Sequence, residues 1–347
     1  MFVALRGDAT LGRNESRAGT VLHRRDFCKL HIVAHYVAVL SGAGRGGLSV
    51  LPIGKVGDDA AGSAMIEHMR RAGMDMRFVE TQAGASTLFS VCFVYPDGDG
   101  GNITTDDSAS ARVAPADVDA ALARLPEADG GAGIALAVPE APLAARQRLL
   151  ETGRRRGWLC AAAVTTAEVP EALAAGMFAA ADLLSVNREE AAALAGREPA
   201  GDVEAIVRAA GERLAAANPG IRLCVTAGAD GAYGWAGGKV EHIPAPAVQA
   251  VNTAGAGDAT LAGLIVATAA GLPFIRPQRR RREGLADAPL ETATDFAALL
   301  AGLAVRSEDT ISFDADAEAM AKLAAELGCE ISALRAALSW RGGGGGG

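Results

Sequence analysis

Short apolar runs of strand length alternate with longer segments of helical periodicity over most of this chain. The predicted strands are Leu48–Ile53, Ile134–Val138, Trp158–Val164, Leu183–Val186 and Arg222–Thr226. The predicted helices, recognised by apolar residues at three- and four-residue spacing, are Gly62–Ala72, Leu143–Arg156, Arg188–Leu194 and Val203–Ala216. This alternation predicts an α/β fold with a mostly parallel sheet that is covered by helices on both faces.

Two segments interrupt the pattern. Residues Thr10–Lys29 are polar and irregular. Residues Thr87–Tyr95 form an alternating run rich in β-branched and aromatic side chains, which is followed by a turn at Pro96-Asp97-Gly98 and a candidate return strand at Asn102–Thr105. The second segment is therefore predicted to be a β-hairpin that stands off the main sheet, as a lid would.

Charge and composition exclude several classes of protein. The formal net charge is −8, from 33 Lys and Arg against 41 Asp and Glu, so we expect no nucleic-acid binding. The run Arg279–Arg282 has no interleaved aromatic residues and is predicted to be a solvated loop.

Five scattered cysteines without metal spacing indicate the reduced thiols of a cytoplasmic protein. Apolar stretches such as Ala262–Phe274 are too short for a bilayer span, so we expect no membrane association.

The most informative local pattern is the glycine-rich run Asn252–Asp258, which leads into an apolar helix predicted over Asp258–Gly271. Small residues let a ligand approach the main chain, and unpaired N–H groups at a helix start attract anions. A carboxylate at such a corner makes sense as a base that takes a proton from a hydroxyl group attacking a phosphoryl group. The alternative is a plain glycine-rich turn in which Asp258 caps the helix.

Together with three other segments, this run resembles the ribokinase-like (PfkB) family of carbohydrate and nucleoside kinases. Asn252–Asp258 matches six of the seven positions of the family signature D-T-x-G-A-G-D. The other matching segments, in chain order, are Gly54–Gly62, Ser185–Glu190 and Val225–Ala232. The resemblance extends from about residue 48 to 305. It implies a three-layer ribokinase-like sandwich over residues 1–341, with a β-lid from about 10–30 and 86–105, and a disordered glycine tail at 342–347.

The resemblance also implies the roles of individual residues. Asp258 would be the catalytic base, and the main-chain amides from Ala254 through Gly255, Ala256 and Gly257 would form an anion hole for the transferred phosphoryl group. Glu140 would contact the sugar. The residues implied at the nucleotide site are Asn187, Thr226, Gly228, Gly231 and Thr253, and Glu190 would reach Mg²⁺ through water. Without the family, Glu190 is an acidic residue that favours a helix start, and Thr226 is an ordinary strand end.

Several positions depart from the family pattern. A Gly-Gly pair and an asparagine on the substrate-binding face correspond here to His31, Ile32 and Tyr36. An early aspartate corresponds to Gly12, the first aspartate of the signature is Asn252, and a polar residue expected near Ala163 is missing. Bulky residues in place of bare main chain predict that the acceptor pocket is narrowed or filled.

These observations support two hypotheses. The first is an ATP-dependent kinase, a phosphotransferase that phosphorylates a hydroxyl group of a small sugar, with a nucleoside as the alternative acceptor. It would use Mg²⁺, with a monovalent cation as a further candidate, and the lid is a candidate homodimer interface. The second is a nucleotide-binding protein that has lost kinase activity.

Two other patterns are predicted to be structural. Gly42–Gly47 fits GxGxxG but precedes a strand-like run, whereas a dinucleotide motif needs a following helix. His31 and His35 have the spacing of one helix face, yet they lack the glutamate of a zinc protease motif.

Overall fold

The computed structural model describes residues 2–7, 10–23, 27–43, 47–96, 100–125, 133–276 and 282–339. The strands are β1 (Phe2–Leu5), β2 (Gly19–His23), β3 (Ile53–Gly57), β4 (Phe78–Gln82), β5 (Ser90–Val94), β6 (Gly100–Thr104), β7 (Ile134–Ala137), β8 (Leu159–Ala162), β9 (Leu183–Asn187), β10 (Arg222–Thr226), β11 (Ala232–Ala236) and β12 (Lys239–Ile243). The helices are α1 (Lys29–Ser41), α2 (Ala60–Arg71), α3 (Pro115–Ala123), α4 (Leu143–Arg155), α5 (Val169–Ala174), α6 (Arg188–Ala195), α7 (Val203–Ala217), α8 (Ala256–Ala269), α9 (Ala293–Ala304), α10 (Ala317–Glu326) and α11 (Ser332–Ser339).

The main sheet has six strands in the order β12-β11-β10-β9-β8-β7. Strands β7 to β10 are parallel, and β11 and β12 extend the sheet as antiparallel strands. Successive residues of β9 enter different cores: Leu183 packs with α1, α8 and α9, whereas Leu184 packs with α6 and α7. The sheet is thus buried on both faces, and the predicted three-layer, mostly parallel α/β sandwich is confirmed.

A second sheet stands off the first and has the order β2-β1-β5-β6. It contains the predicted hairpin, β5 and β6, and also β2, which lies within the irregular segment Thr10–Lys29; we refer to this sheet as the lid. The tip of the hairpin at residues 97–99 lies outside the described residues.

The strand predicted at Leu48–Ile53 is wrong. Residues 48–52 belong to no strand, and β3 begins only at Ile53, where it pairs in parallel with β4 in a separate two-stranded sheet. Pro52 has no N–H to donate, which opposes a ladder through this run.

The prediction of a solvated arginine loop is also wrong for Arg282. Its side chain is fully buried and contacts Asp295 at 2.8 Å and Glu241 at 3.4 Å. Arg276 pairs with the same two carboxylates, each at 2.7 Å, so two arginines and two acids form one buried network. Three predicted segments lie outside the described residues: 279–281 of the arginine run, the glycine tail at 342–347, and 44–46 of the GxGxxG run.

Across the described ranges, no helix is both long and apolar enough to cross a membrane. The five cysteines are free thiols.

Candidate active site

The first turn of α8 forms an open corner of main chain. Gly255 precedes the helix with a φ of +82°, and a Cβ atom added there would lie 2.5 Å from the carbonyl oxygen of Thr310. Only glycine fits this position without strain. A Cβ atom added at Gly257 would meet no described atom within 4 Å. Space for a ligand therefore lies over Gly257, whereas Gly255 is required by the turn itself.

Two of the four amides predicted to form an anion hole are already engaged. The N–H of Ala254 donates to the side-chain oxygen of Asn252 at 3.0 Å, and the N–H of Ala256 donates to the carbonyl of Thr253 at 3.3 Å. The described part of the chain offers no acceptor to the N–H groups of Gly255 and Gly257. These two amides, at the positive end of α8, are the ones available to an anion.

Asn252 also connects this corner to a second loop. Its side-chain N–H donates to the carbonyl of Glu308 at 2.9 Å, and its main-chain N–H donates to Val305 at 3.2 Å. An ionised aspartate, which carries no donor, could not make the first of these bonds. The departure from the signature at this position thus has a structural consequence, because the asparagine holds the loop over residues 305–310 against the start of α8.

Asp258 lies at the same corner and is 9% exposed. The ammonium group of Lys29 lies 3.6 Å from its carboxylate, and this charge is the main reason that the pKa of Lys29 is raised. The main-chain N–H of Lys29 donates to the carboxylate of Glu140 at 3.0 Å. Lys29 therefore engages both carboxylates that the sequence predicts for base and acceptor contact. No local pattern marked Lys29, since its partners are distant in sequence.

Glu140 has an unusual main-chain conformation. Its φ is +78°, and the only other non-glycine residue with a positive φ in the described ranges is Asn14. Such conformations cost of order 1 to 3 kcal/mol and are enriched at functional sites. The strained turn after β7 directs the Glu140 carboxylate to the start of α1.

Asn187 and Glu190 form a reciprocal cap at the start of α6. The side chain of Asn187 accepts from the N–H of Glu190 at 2.8 Å, and the carboxylate of Glu190 accepts from the N–H of Asn187 at 2.7 Å. Burial raises the pKa of Glu190 to about 6, and the nearby charge of Lys29 opposes that rise. Glu190 thus acts as a capping residue at the start of a helix, as its sequence position alone would suggest. Its carboxylate also lies near the Lys29–Asp258 pair.

The predicted nucleotide residues lie at the carboxyl ends of adjacent parallel strands. Thr226 is the register neighbour of Asn187 across β10 and β9. In the turn that follows, Gly228 has a φ of +59° and open space around its Cα, whereas a Cβ atom at Gly231 would lie 2.1 Å from the carbonyl of Ile243. Gly231 is required for close packing, and Gly228 presents an open face. Thr253 is exposed beside the α8 corner.

A cavity of about 820 Å³ lies beside the residues that are predicted to contact the acceptor. Asp258, Gly255, Lys29 and Glu140 all line it. Within the described ranges, the residues predicted to hold the nucleotide do not line it, so the cavity brings together Asp258 and Glu140 but not the residues predicted for ATP contact.

Two of the three residues that depart from the family pattern on the predicted acceptor face lie at the cavity, and the third does not. His31 and Ile32 line the cavity, but Tyr36 does not: it is fully buried, and its hydroxyl accepts from the N–H of Ser312 at 2.8 Å. The expectation that Tyr36 faces the acceptor is therefore wrong, because the helix turns it into the core. Gly12 lies in the lid segment, where its N–H donates to Glu15.

An aromatic cluster closes the outer side of α1. It consists of Phe27, His31, His35, His68 and Phe313, with ring centroids of contacting pairs 4.8 to 6.3 Å apart. His31 and His35 lie on one helix as predicted, but they are buried, and their nitrogens have no hydrogen-bond partner in the described structure. Burial lowers the pKa of His31 to about 3 and that of His35 to about 4. In the described ranges, no group of three or more His, Cys, Asp or Glu side chains has the geometry of a metal site.

Comparison with known proteins supplies the context for this geometry. The model of the pfkB family carbohydrate kinases matches residues 34–317. The ribokinase from Cryptococcus neoformans var. grubii serotype A, solved in complex with ADP, has 18% identity and a TM-score of 0.70, with 92% of this chain and 95% of that chain covered. The Arabidopsis thaliana ribokinase, complexed with ribose and ATP, has 21% identity and a TM-score of 0.65, with coverages of 93% and 94%. The adenosine kinase from Sinorhizobium meliloti has 22% identity and a TM-score of 0.62, with coverages of 90% and 83%. At these identities the likeness establishes a shared fold.

Proposed function

Since this chain belongs to the pfkB family of carbohydrate kinases, we propose that it transfers the terminal phosphoryl group of ATP to a hydroxyl group of a small sugar. The observation that carries the proposal is the corner at α8, where Asp258 lies beside the free amides of Gly255 and Gly257. A general base next to an anion-binding helix start is the arrangement that phosphoryl transfer to an alcohol requires.

The proposed reaction uses these groups in one step. The acceptor oxygen attacks the terminal phosphorus of ATP, its proton passes to the carboxylate of Asp258, and the bond from phosphorus to the bridging oxygen breaks to release ADP. The amides of Gly255 and Gly257 stabilise the charge on the transferred group. The ammonium of Lys29 lies 3.6 Å from Asp258, and its charge would attract the phosphoryl oxygens of a bound nucleotide.

The nucleotide would lie along the ends of β9 and β10 and approach the start of α8. Asn187, Thr226 and Gly228 present polar or open faces there. Gly231 shapes the turn and Thr253 flanks the phosphates. ADP in the fungal relative and ATP in the plant relative support nucleotide use.

The residues present fit a magnesium ion. Mg²⁺ usually binds through one or two carboxylates, several waters and the substrate phosphates. Glu190, with a pKa of about 6, is ionised at neutral pH and lies near the reacting corner. Glu190 would hold the ion through water, with Asn187 beside it, and a bound Mg²⁺ neutralises phosphate charge. We propose a monovalent cation as a further cofactor candidate.

We propose that the protein is cytoplasmic. Its free thiols suit a reducing compartment.

We also propose that two copies of the protein form a homodimer through their lids. The lid exposes Val21, Leu22 and Ile103, by 45%, 47% and 70%, and a second lid would cover them.

A nucleotide-binding protein without kinase activity is the second candidate. The observation that favours it is that Lys29 already engages both Asp258 and Glu140, while the bulky His31 and Ile32 line the same cavity. A nucleoside is the alternative acceptor if the protein is a kinase.

Phosphotransfer from ATP to a panel of pentoses, hexoses and nucleosides tests the proposal. We expect ADP release that depends on one sugar, and a phosphorylated sugar as the product. Transfer to nucleosides alone would replace the sugar by a nucleoside. ATP binding without transfer to any compound would favour the second candidate, and the absence of ATP binding would contradict both.

A further inference from the structure

His31, in the first turn of α1, is a fully buried polar residue whose hydrogen bonds are not made. It is 0% exposed, and neither its Nδ1 nor its Nε2 has a partner in the described part of the chain. Buried polar side chains are normally hydrogen-bonded, because a nitrogen that leaves water without gaining a partner costs free energy. Two other buried polar groups of α1 follow this rule, since the hydroxyl of Tyr36 accepts from Ser312 and that of Ser41 donates to Ala38.

The position of His31 gives a ligand access to it. His31 lines the same cavity as Asp258 and Glu140. His68 of α2 lines it too, and its Nδ1 is likewise buried and without a partner in the described ranges. The centroids of the two imidazole rings lie 6.3 Å apart. Two hydrogen bonds of about 2.9 Å span up to about 5.8 Å, so a single oxygen atom of a ligand can reach a nitrogen of each ring.

The surroundings of His31 favour a neutral ligand group. Burial, with smaller contributions from His35 and His68, lowers the pKa of His31 to about 3. At neutral pH its ring therefore carries one donor and one acceptor. The cavity residues that accompany His68 on α2 include the apolar Met65 and Met69. A hydroxyl group both donates and accepts and carries no charge, so it suits this environment better than a carboxylate or a phosphate does.

His35, one turn further along α1, provides an internal comparison. It is also buried, and its nitrogens also lack partners in the described chain. Its ring, however, packs edge to face with Tyr36 and Phe313, at centroid distances of 5.8 and 5.2 Å, and it does not line the cavity. A ligand in the cavity therefore has access to His31 and His68 but not to His35.

We propose that His31 and His68 bind a hydroxyl group of the acceptor other than the one that is phosphorylated, and that this contact selects the acceptor. The inference rests on the proposed function, because it takes the occupant of the cavity to be the sugar or nucleoside acceptor. The reacting hydroxyl lies at Asp258 and Glu140, and the second hydroxyl lies between α1 and α2. The histidine that departs from the family pattern at position 31 is then a binding group rather than an obstruction.

Kinetics of matched variants test the proposal. The probe is whichever of D-ribose, D-fructose, D-glucose and adenosine the wild type phosphorylates. His31→Phe keeps a ring and removes both nitrogens, so the KM of the probe should rise at least about tenfold while the KM of ATP is unchanged. His31→Asn restores a donor and an acceptor and should recover part of the loss. His35→Phe, on the same helix and equally buried, is the control and should change neither KM.

Monodeoxy analogues of the same probe identify the hydroxyl. One analogue should lose about tenfold in kcat/KM with the wild type and nothing further with His31→Phe, where the bond is already absent. An unchanged KM in His31→Phe, or equal rises in His31→Phe and His35→Phe, would overturn the inference and leave the kinase proposal standing. Neither binding nor transfer with any of the four compounds would contradict the proposed function, and the inference with it.

Nitrogen-15 NMR of the imidazole rings gives a readout that needs no variant to fold in order to detect binding. When the probe is added to the wild type, the signals of His31 and His68 should shift and that of His35 should stay in place. Binding of the probe by calorimetry without a shift at His31 would overturn the inference. A shift of His31 toward the protonated form, produced by a sugar phosphate in place of the neutral probe, would overturn the assignment of a hydroxyl group.

Discussion

The proposed phosphate side and the proposed acceptor side of this site meet at Asp258 but are built from different kinds of group. On the phosphate side, the groups offered to a ligand are the main-chain amides of Gly255 and Gly257. On the acceptor side they are the carboxylates of Asp258 and Glu140, which Lys29 already contacts.

The difference shows which features tolerate sequence change. A helix start supplies N–H groups whatever its side chains are, provided that glycine keeps the turn and leaves space. Acceptor recognition depends on the identity of side chains and on their freedom to bind substrate. The proposed phosphate side therefore has main-chain amides available, while both carboxylates of the proposed acceptor side contact Lys29.

The largest effect should follow from removing the shared base. Asp258→Asn should lower phosphotransfer by roughly 10²–10⁴, the range for loss of a positioned base. ATP affinity should stay within about threefold, because the amides remain. Single-turnover assays with the accepted sugar measure the first effect and calorimetry the second. The exposed Asp314→Asn is the control, and turnover of Asp258→Asn close to that of the control would remove Asp258 from its role.

A glycine substitution should break the phosphate side through the fold rather than through the ligand. Gly255→Val forces a branched residue to a φ of +82° and a Cβ atom to 2.5 Å from the Thr310 carbonyl. We expect a loss of about 4 kcal/mol in the free energy of unfolding, from strain and overpacking together. Denaturant unfolding measures it, and a stable Gly255→Val protein would show that the turn is not fixed as described.

The stability of the aromatic cluster on α1, beside the proposed acceptor side, should respond to acid. His31 and His35 have folded-state pKa values of about 3 and 4, below the unfolded value of 6.5, so the unfolded chain takes up protons first as the pH falls. Their contribution to stability is complete above pH 6.5 and declines below it, by about 3 kcal/mol for the pair between pH 8 and 5.5. In unfolding measured over that range, His31→Leu/His35→Leu should flatten the slope. An unchanged slope would mean that these imidazoles take up protons as readily in the folded protein as in the unfolded chain.

A smaller effect should separate acceptor binding from nucleotide binding. Glu140→Gln keeps the shape of the side chain and weakens it as an acceptor for substrate hydroxyls. The KM for the sugar should rise about tenfold while the KM for ATP is unchanged. Steady-state kinetics with each substrate varied in turn measure both values. An equal rise in both would place Glu140 outside the acceptor site.

Local periodicity predicted most of the fold. The predicted helix over Leu143–Arg156 and strand at Arg222–Thr226 agree with α4 and β10, because apolar spacing reports which face is buried. It failed at Leu48–Ile53, where a continuous apolar run has no period and Pro52 interrupts pairing.

The candidate site was predictable where a motif is contiguous and not where contacts are long-range. The run Asn252–Asp258 carries its geometry within seven neighbouring positions. Lys29 was missed because its partner Glu140 is 111 residues away. Tyr36 was misplaced because sequence alignment does not show which way a helix turns a side chain, and here it reaches Ser312.

We expect the two sides of the site to be separable, with nucleotide bound at the open amides and acceptor at the carboxylates. Calorimetric titration of ATP with Mg²⁺ into Gly257→Val and Glu140→Gln, without acceptor, tests it most directly. A valine at Gly257 would occupy the open space over the free amides, whereas the Glu140 carboxylate contacts the start of α1. The account predicts that Gly257→Val weakens ATP binding by at least about tenfold, or 1.4 kcal/mol, and that Glu140→Gln binds ATP as the wild type does. Equal weakening in both variants, or full binding by Gly257→Val, would contradict it.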